Sequence, residues 1–387
     1  MTRDDPKMQL TELRATLARW LIDDAYPCWA QQGIDPQNGG FAETLDRSGS
    51  PLEHPRRARV HPRQLYAFAQ APRLGWRGDV PGIVARGIDY FTKFYRRADG
   101  LFRTLADADG TPLDERALLY DQSFALLGFA AAAAALDARA EFERRAIDLR
   151  HLIEERFRAG DGAFYSDEEH APTLESNPHM HLLEACLAWT EIGNDPGWAA
   201  WARDLVQLAR SRFIRKDSGA LGEAYTTAWL PAPGIAGHII EPGHQFEWAW
   251  LLLRCEKLHP PALRQAALRQ AALKLISFGD ERGVRNGVAV NSLLDDLTVK
   301  DHNARFWPQT ERLKAALLAA TLTDAPHYWW MARSAAMSLL PYLDTPVKGL
   351  WFDVRRPNGS FVDSPVPAST FYHLVGAVVA LDTALTA

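Results

Sequence analysis

Apolar residues recur at helical spacing along the chain in about twelve stretches, 8–26, 61–74, 82–97, 119–136, 139–158, 178–192, 196–213, 242–258, 261–278, 305–321, 325–343 and 368–385. Pro62, Pro242 and Pro308 fall at or near the starts of three of them, where a missing N–H costs nothing. The connections alternate in length. Short ones, such as 75–81, 193–196 and 322–324, follow one set of helices, and long ones precede the other set. The long connections carry a second pattern, a glycine followed by apolar residues at Gly40, Gly100, Gly162, Gly219, Gly287 and Gly349, with gaps of 60, 62, 57, 68 and 62 residues. Six units of two helices predict an all-α (α/α)6 barrel. Six inner helices would surround an axis, six outer helices would pack on them, and the glycine segments would form short β-hairpins on the rim. Residues 1–387 read as one domain. An open superhelical array is the alternative, but it would more often show polar capping repeats.

About twenty residues after each glycine, at the start of a helical stretch, stands a polar or aromatic residue: Arg63, Asp121, His181, His244, Trp307 and His373. In a closed ring these six slots converge on one pocket at the N-terminal ends of the inner helices. Unpaired N–H groups and the positive dipole end there suit chemistry that develops negative charge.

Composition narrows the class. With 47% hydrophobic and 24% charged residues the chain has the makeup of a globular protein with a large core. A net charge of −5 argues against a nucleic-acid partner. The longest apolar run, 124–136, is too short to span a bilayer, and the polar N-terminus lacks a signal-peptide pattern, so a cytoplasmic enzyme is expected. Cys28, Cys186 and Cys255 are too scattered for a disulfide framework or a zinc motif. The basic cluster Arg56, Arg57, Arg59 and Arg63 reads either as a solvated loop or as a site for an anionic substituent on the ligand.

Two stretches share a spacing: His181 precedes Glu184 by three residues, and His244 precedes Glu247 by three. Residues three apart share a helix face, so each carboxylate can either hydrogen-bond its imidazole, fixing the tautomer and raising its basicity, or stand beside it toward the same ligand. His373 adds a third imidazole, whereas His179, about 200° around the helix from His181, cannot also face the axis. A metal held by His and Glu is the competing reading, but no HExxH helix or Cys/Asp cluster completes a ligand set. A glycosidase would draw on Asp121, Glu184, Glu247 and Glu311, yet histidine dominates the slots. Trp307 and Trp351 are expected on or near the rim, as stacking faces for a sugar, and Trp189, Trp248 and Trp250 in the core. Arg63 and Trp307 suit substrate clamps; Asp121 reads equally as a hydroxyl ligand or a helix cap.

The stretches ARVHPRQLYAFA, LYDQSFALLGFA, NPHMHLLEA, EPGHQFEWAWLL, FWPQTERLKA and FYHLVGA together resemble, in order from about residue 12 to 385, the N-acylglucosamine 2-epimerase superfamily of sugar isomerases and epimerases. The PGHQFEWAWLL form is closer to its mannose isomerase branch than to its cellobiose epimerase branch. The resemblance implies an (α/α)6 barrel and sugar isomerisation by histidines without a cofactor or metal. It matches Arg63 to the substrate-binding arginine, and His181, His244, Glu247 and His373 to the family's functional residues.

The expected reaction is interconversion of D-mannose, or a related aldose, and D-fructose through a cis-enediol. His244 and His373 would transfer protons, Glu247 would assist ring opening or tune His244, and His181 would bind O1 and O2. Arg63, Asp121, Asn177, Glu184 and Trp307 are the candidate substrate-binding residues. A sugar 2-epimerase is the alternative, with His181 and His373 serving opposite faces of C2; a carbohydrate hydrolase or lyase and a non-catalytic sugar-binding protein stand further off.

Overall fold

Each predicted apolar stretch contributes a helix to the computed structural model, which describes residues 5–258 and 266–386. Residues 261–265 of the expected 261–278 stretch lie outside the described residues. The helices are α1 (Pro6–Trp20), α2 (Tyr26–Gln32), α3 (Val60–Leu74), α4 (Val80–Tyr95), α5 (Leu119–Ala135), α6 (Arg139–Phe157), α7 (Ser176–Ile192), α8 (Gly197–Leu208), α9 (Pro242–Leu258), α10 (Ala266–Gly283), α11 (Phe306–Thr323), α12 (Pro326–Leu343) and α13 (Ser369–Thr386). A π turn, Leu21–Ala25, joins α1 to α2 just ahead of Pro27. One long rod therefore replaces the shorter 8–26 helix of the pattern, with the wide turn placed where proline's missing N–H interrupts the regular ladder.

Helices α3, α5, α7, α9, α11 and α13 pack side by side, and α13 returns against α3 to close the ring. The other helices, with α1 and α2 as one rod, form the outer layer of this (α/α)6 barrel. Burial follows position. Outer α4 buries one stripe (Val80, Ile83, Val84, Gly87, Ile88, Phe91), while inner α5 buries every residue from Asp121 to Ala133. A helix apolar all round can only sit between two layers.

The glycine pattern has a backbone cause. Gly100, Gly162, Gly219, Gly287 and Gly349 have φ of 93°, 81°, 73°, 81° and 83°, a region that costs other residues strain. In the first unit Gly39 (φ 78°) takes this place rather than Gly40.

Polar side chains on the inner helices then pin the segment that follows. The backbone N–H of Phe102, Leu221 and Ala289 donates to Gln122, Gln245 and Gln309 at 2.9, 2.7 and 2.7 Å, and that of Phe164 donates to His179 Nε2 at 2.9 Å. His179 thus faces away from the axis, and His61 does the same toward Phe41. Gln309 also donates to the Ala289 carbonyl at 2.9 Å. Gln309→Leu strands both backbone groups of Ala289 in the core, and we expect a loss of about 3 kcal/mol of stability by urea denaturation; an unchanged midpoint would show that the rim is held otherwise.

Hairpins do form within some rim segments, as Val284–Arg285 with Val288–Ala289, but the pairing that closes the rim runs between neighbouring units. Arg56–Arg57 pairs with Leu105–Ala106, Thr173–Glu175 with Ala224–Thr226, Ile239–Ile240 with Ser292–Leu294, Ala304–Arg305 with Val354–Arg355, and Val366–Pro367 with Thr44–Leu45. A single bridge, Leu118 to Asp167, links the second unit to the third. A ring of backbone hydrogen bonds therefore fixes the mouth of the barrel.

Trp351 departs from expectation. It is fully buried, with its ring 5.0 Å from Trp29 and 5.8 Å from Phe371, between α2 and α13, so it belongs to the core and not to the rim. Trp189 and Trp248 are buried as expected, while Trp250 is half-buried at the far end of the barrel. Among the described residues no helix is long and apolar enough to cross a membrane.

Candidate active site

The N-terminal ends of the inner helices enclose a cavity of about 390 Å³ whose walls include Arg63, Asn177, His181, His244, Glu247, Trp307 and His373. Seven of the nine predicted site residues thus meet in one place. Gly243 makes room for this: a Cβ there would come within 2.4 Å of the Trp307 ring. That ring stands between two imidazoles, 5.2 Å from His244 and 5.5 Å from His373.

Each of the three imidazoles turns Nδ1 to a carboxylate. His181 meets Glu184 at 3.1 Å, His244 meets Glu223 at 2.9 Å, and His373 meets Glu311 at 2.8 Å. A carboxylate can only accept, so Nδ1 carries the proton in all three, and Nε2 is left for a ligand. Of the two arrangements the spacing allows, His181 and Glu184 take the hydrogen bond, whereas Glu247 stands beside His244 in the cavity wall. Glu223, on the rim just ahead of a strand, also accepts from the Ser176 hydroxyl at 3.0 Å and from the Glu241 N–H at 3.3 Å. It is thereby fixed beside His244, and Glu247 is left beneath it.

Electrostatics separate the three rings. For His244 the burial that would depress its pKa is overridden by Glu223 and by Glu241 at 3.7 Å, which hold it up at about 10, so it is an imidazolium at neutral pH. Burial pushes His181 down to about 4 against the opposing pull of Glu184. Burial, with Arg63 and Lys314 adding to it, puts His373 well below the ordinary range. One ring is therefore a proton donor, and two present neutral Nε2 atoms with a free lone pair.

The carboxyl of Glu247 is pushed well above the usual range, by burial first and then by Glu311, which favours its protonated form; its Oε1 is buried without a partner. Asn177 Oδ1 and Arg63 Nε, also on residues of the cavity wall, are likewise buried and unpartnered. Buried polar atoms are normally satisfied, and three orphans around one cavity fit a ligand rich in hydroxyls. The Arg63 guanidinium lies 4.2 Å over Phe124 and donates to the Tyr120 hydroxyl at 2.6 Å, so its direction is set before a ligand arrives.

Two predicted substrate-binding residues lie behind the wall. Asp121 is fully buried and accepts from Arg59 Nε at 2.9 Å, so it holds a wall arginine in place and neither caps its helix nor reaches the cavity. Glu184 accepts from His181 and from the Tyr372 hydroxyl.

Glu43, Thr104, Ser166, Glu223, Asn291 and Asp353 form a ring that sequence reasoning missed. Each lies four residues past a left-handed glycine. Several steer the wall: Glu43 holds Arg57, Thr104 accepts from Arg59 at 3.3 Å, Glu223 holds His244, and Asp353 accepts from Thr370 at 3.1 Å. The signal was a polar residue at a constant offset from the glycine.

Ligand atoms of His181, Glu184 and Glu247, and those of Glu247, Glu311 and His373, fall within 4.8 Å of one another, close enough to hold an ion. In both groups a carboxylate is already engaged: the Lys314 ammonium sits 2.7 Å from Glu311 as the cation of the second, and in the first Glu184 accepts from His181 and Tyr372.

Residues 39–377 match the family model described as N-acylglucosamine 2-epimerase (GlcNAc 2-epimerase). The chain is 45% identical over 377 residues to a mannose-6-phosphate isomerase of Rhizobium meliloti, covering 95% of this chain and 96% of that protein. It is 26% identical to a D-mannose isomerase of Marinomonas mediterranea, covering 89% and 91%. Its fold superposes on the structure of cellobiose 2-epimerase from Spirochaeta thermophila with a TM-score of 0.85 at 24% identity, covering 97% of both chains.

Proposed function

The chain belongs to the N-acylglucosamine 2-epimerase family of sugar isomerases and epimerases, and from that premise we propose that it interconverts D-mannose and D-fructose by imidazole proton transfer. The observation that carries this reading is the pairing, on either side of Trp307, of a cationic imidazole with a neutral one. His244 is positive and His373 neutral at the pH where both must work.

To open the pyranose, Glu247 gives its proton to the ring oxygen and His181 Nε2 takes the O1 hydroxyl proton, so that the C1–O5 bond breaks as C1=O forms; ring closure of the product reverses both transfers. His373 Nε2 then takes the proton from C2. The C2–H electrons form the C1=C2 bond, and the carbonyl electrons move to O1, which takes a proton from His244. In the second half the enediol O2–H gives its proton back to His244, C2=O forms, and His373 returns its proton to C1. Each imidazole ends as it began. Arg63 and the helix N-termini stabilise the enediolate oxygens while charge builds. His181 Nε2 accepts from a sugar hydroxyl. Its ring is packed 4.4 Å from Phe124 and 5.1 Å from Tyr120, which suits a binding role better than that of a second carbon base.

At the mouth Arg57 faces Glu43, Arg59 faces Asp121, and Arg305 lies 3.4 Å from Asp353. This balance suits a neutral sugar. A second reading, the 6-phosphate, is favoured by the side chains of Arg57 and Arg305, which are 44% and 45% exposed and so free to turn to a phosphate. Rates on D-mannose and on D-mannose 6-phosphate, with products resolved by NMR, test both. Fructose from D-mannose is expected; glucose would establish the 2-epimerase instead, and at least a tenfold preference in kcat/KM for the phosphate would move the substrate to the second reading.

A further inference from the structure

Beneath the cavity, three buried carboxyl groups from three adjacent helices, Glu184 on α7, Glu247 on α9 and Glu311 on α11, surround one ammonium, that of Lys314. Its Nζ lies 2.7 Å from Glu311 Oε2, while Glu311 Oε1 accepts from His373 Nδ1 at 2.8 Å. Lysine, glutamate and imidazole form one line from below the pocket to the ring facing it. Lys314 is 2% exposed, and a charge is carried that deep only when it is paired.

The lysine comes from the other side of the barrel. A second cavity, of about 450 Å³, opens at the C-terminal ends of the inner helices, and Lys314 lies in its wall with Tyr66, Ala131, Trp250 and Leu317. The Trp250 ring covers the ammonium at 3.7 Å. The side chain therefore ends between the two cavities.

Taking the proton transfer proposed above as given, we infer that Lys314 is a positioning residue for it: by keeping Glu311 anionic, the ammonium fixes the His373 proton on Nδ1 and leaves Nε2 open to the sugar. Without that charge, Glu311 would stand in a dry site beside Glu184 and Glu247, and its least costly response is to bind a proton. A neutral Glu311 no longer requires a donor from His373. The imidazole proton is then free to move to Nε2, where it blocks attack on C2. Tyr66 and Tyr372 of α3 and α13, Arg63 and His181 above, and Arg254 below also face this line among the described residues. Tyr372 is committed to Glu184, Arg63 to Tyr120 and Arg254 to Glu191, so none replaces the lysine.

The second cavity supplies a direct test. In Lys314→Ala the space left by the side chain is continuous with it, and a small alkylammonium can enter from below. We expect kcat to fall about 30-fold in Lys314→Met and Lys314→Ala with KM changed less than threefold. Propylamine, but not 1-butanol, should restore at least tenfold in Lys314→Ala and nothing in Lys314→Met. In the sugar-free protein, 15N NMR should place the His373 proton on Nδ1 in the wild type and on Nε2, or on both, in Lys314→Met. A kcat within threefold of wild type, equal restoration by the alcohol, or an unchanged His373 tautomer in Lys314→Met would overturn the assignment. The NMR arm needs no turnover, so it stands or falls apart from the isomerase reading.

Discussion

Replacing His373 by alanine should lower kcat by roughly 10³-fold while the sugar still binds within a few fold of its normal affinity. His373 is the neutral imidazole whose Nε2 is open to the cavity and whose partner, Glu311, is fully buried and fixed. The groups proposed to hold the sugar come from other elements of the cavity wall: Arg63 of α3, Asn177 and His181 of α7, and Trp307 of α11. Removing the ring deletes the carbon base and leaves those contacts in place, so the loss should fall on kcat and not on KM. Steady-state kinetics, with equilibrium binding of the sugar to the inactive variant, measure both quantities. Activity within tenfold of wild type would take His373 out of the carbon proton transfer, and His181 would become the base to test.

The second large effect is a change in pH dependence. In the proposed mechanism His244 acts in its protonated form, and Glu223 and Glu241 hold its pKa at about 10. His373 must be neutral, and its pKa is well below the ordinary imidazole value. Wild-type kcat/KM should therefore stay flat from mildly acidic pH up to an alkaline limb near 10. In Glu223→Gln the nearest carboxylate charge is gone while the hydrogen-bonded shape is kept. The limb should move down by about two units or more, and at pH 9 the variant should retain under a tenth of wild-type activity. Stability changes with the same sign. A folded-state pKa raised from 6.5 to about 10 gives stabilisation that is complete below 6.5 and is lost as pH rises toward 10, so wild type should lose it over that interval and Glu223→Gln should lose a smaller amount over a narrower one. If the two proteins share one alkaline limb, His244 is not the acid.

The helices, their order and the closure of the ring were legible because each depends on local signals: apolar spacing, left-handed glycines and prolines at helix starts. The six slots were legible because the repeat places equivalent residues at equivalent depth. The pairing of the slots was not. His181 takes Glu184 from its own helix, as the spacing suggests, but His244 takes Glu223 from the rim of its own unit, and His373 takes Glu311 from the neighbouring helix. A spacing of three residues permits contact, and a carboxylate already oriented by Ser176 and the Glu241 N–H wins over one that is not. Asp121 shows the same limit: it stands in a slot, yet Arg59 lies between it and the cavity. Trp351 was misplaced because a tryptophan two residues past a rim glycine points inward to Trp29 as readily as outward, and sequence carries no sign of which.

The most direct measurement follows deuterium from D-[2-²H]mannose in ordinary water, using enzyme dialysed against a chelator and ²H NMR of the products. If His373 carries the proton between neighbouring carbons, part of the deuterium appears at one of the two C1 positions of fructose, no glucose forms, and the rate is unaffected by the chelator. Glucose, label at both C1 positions, or activity that returns only with added metal would contradict the account.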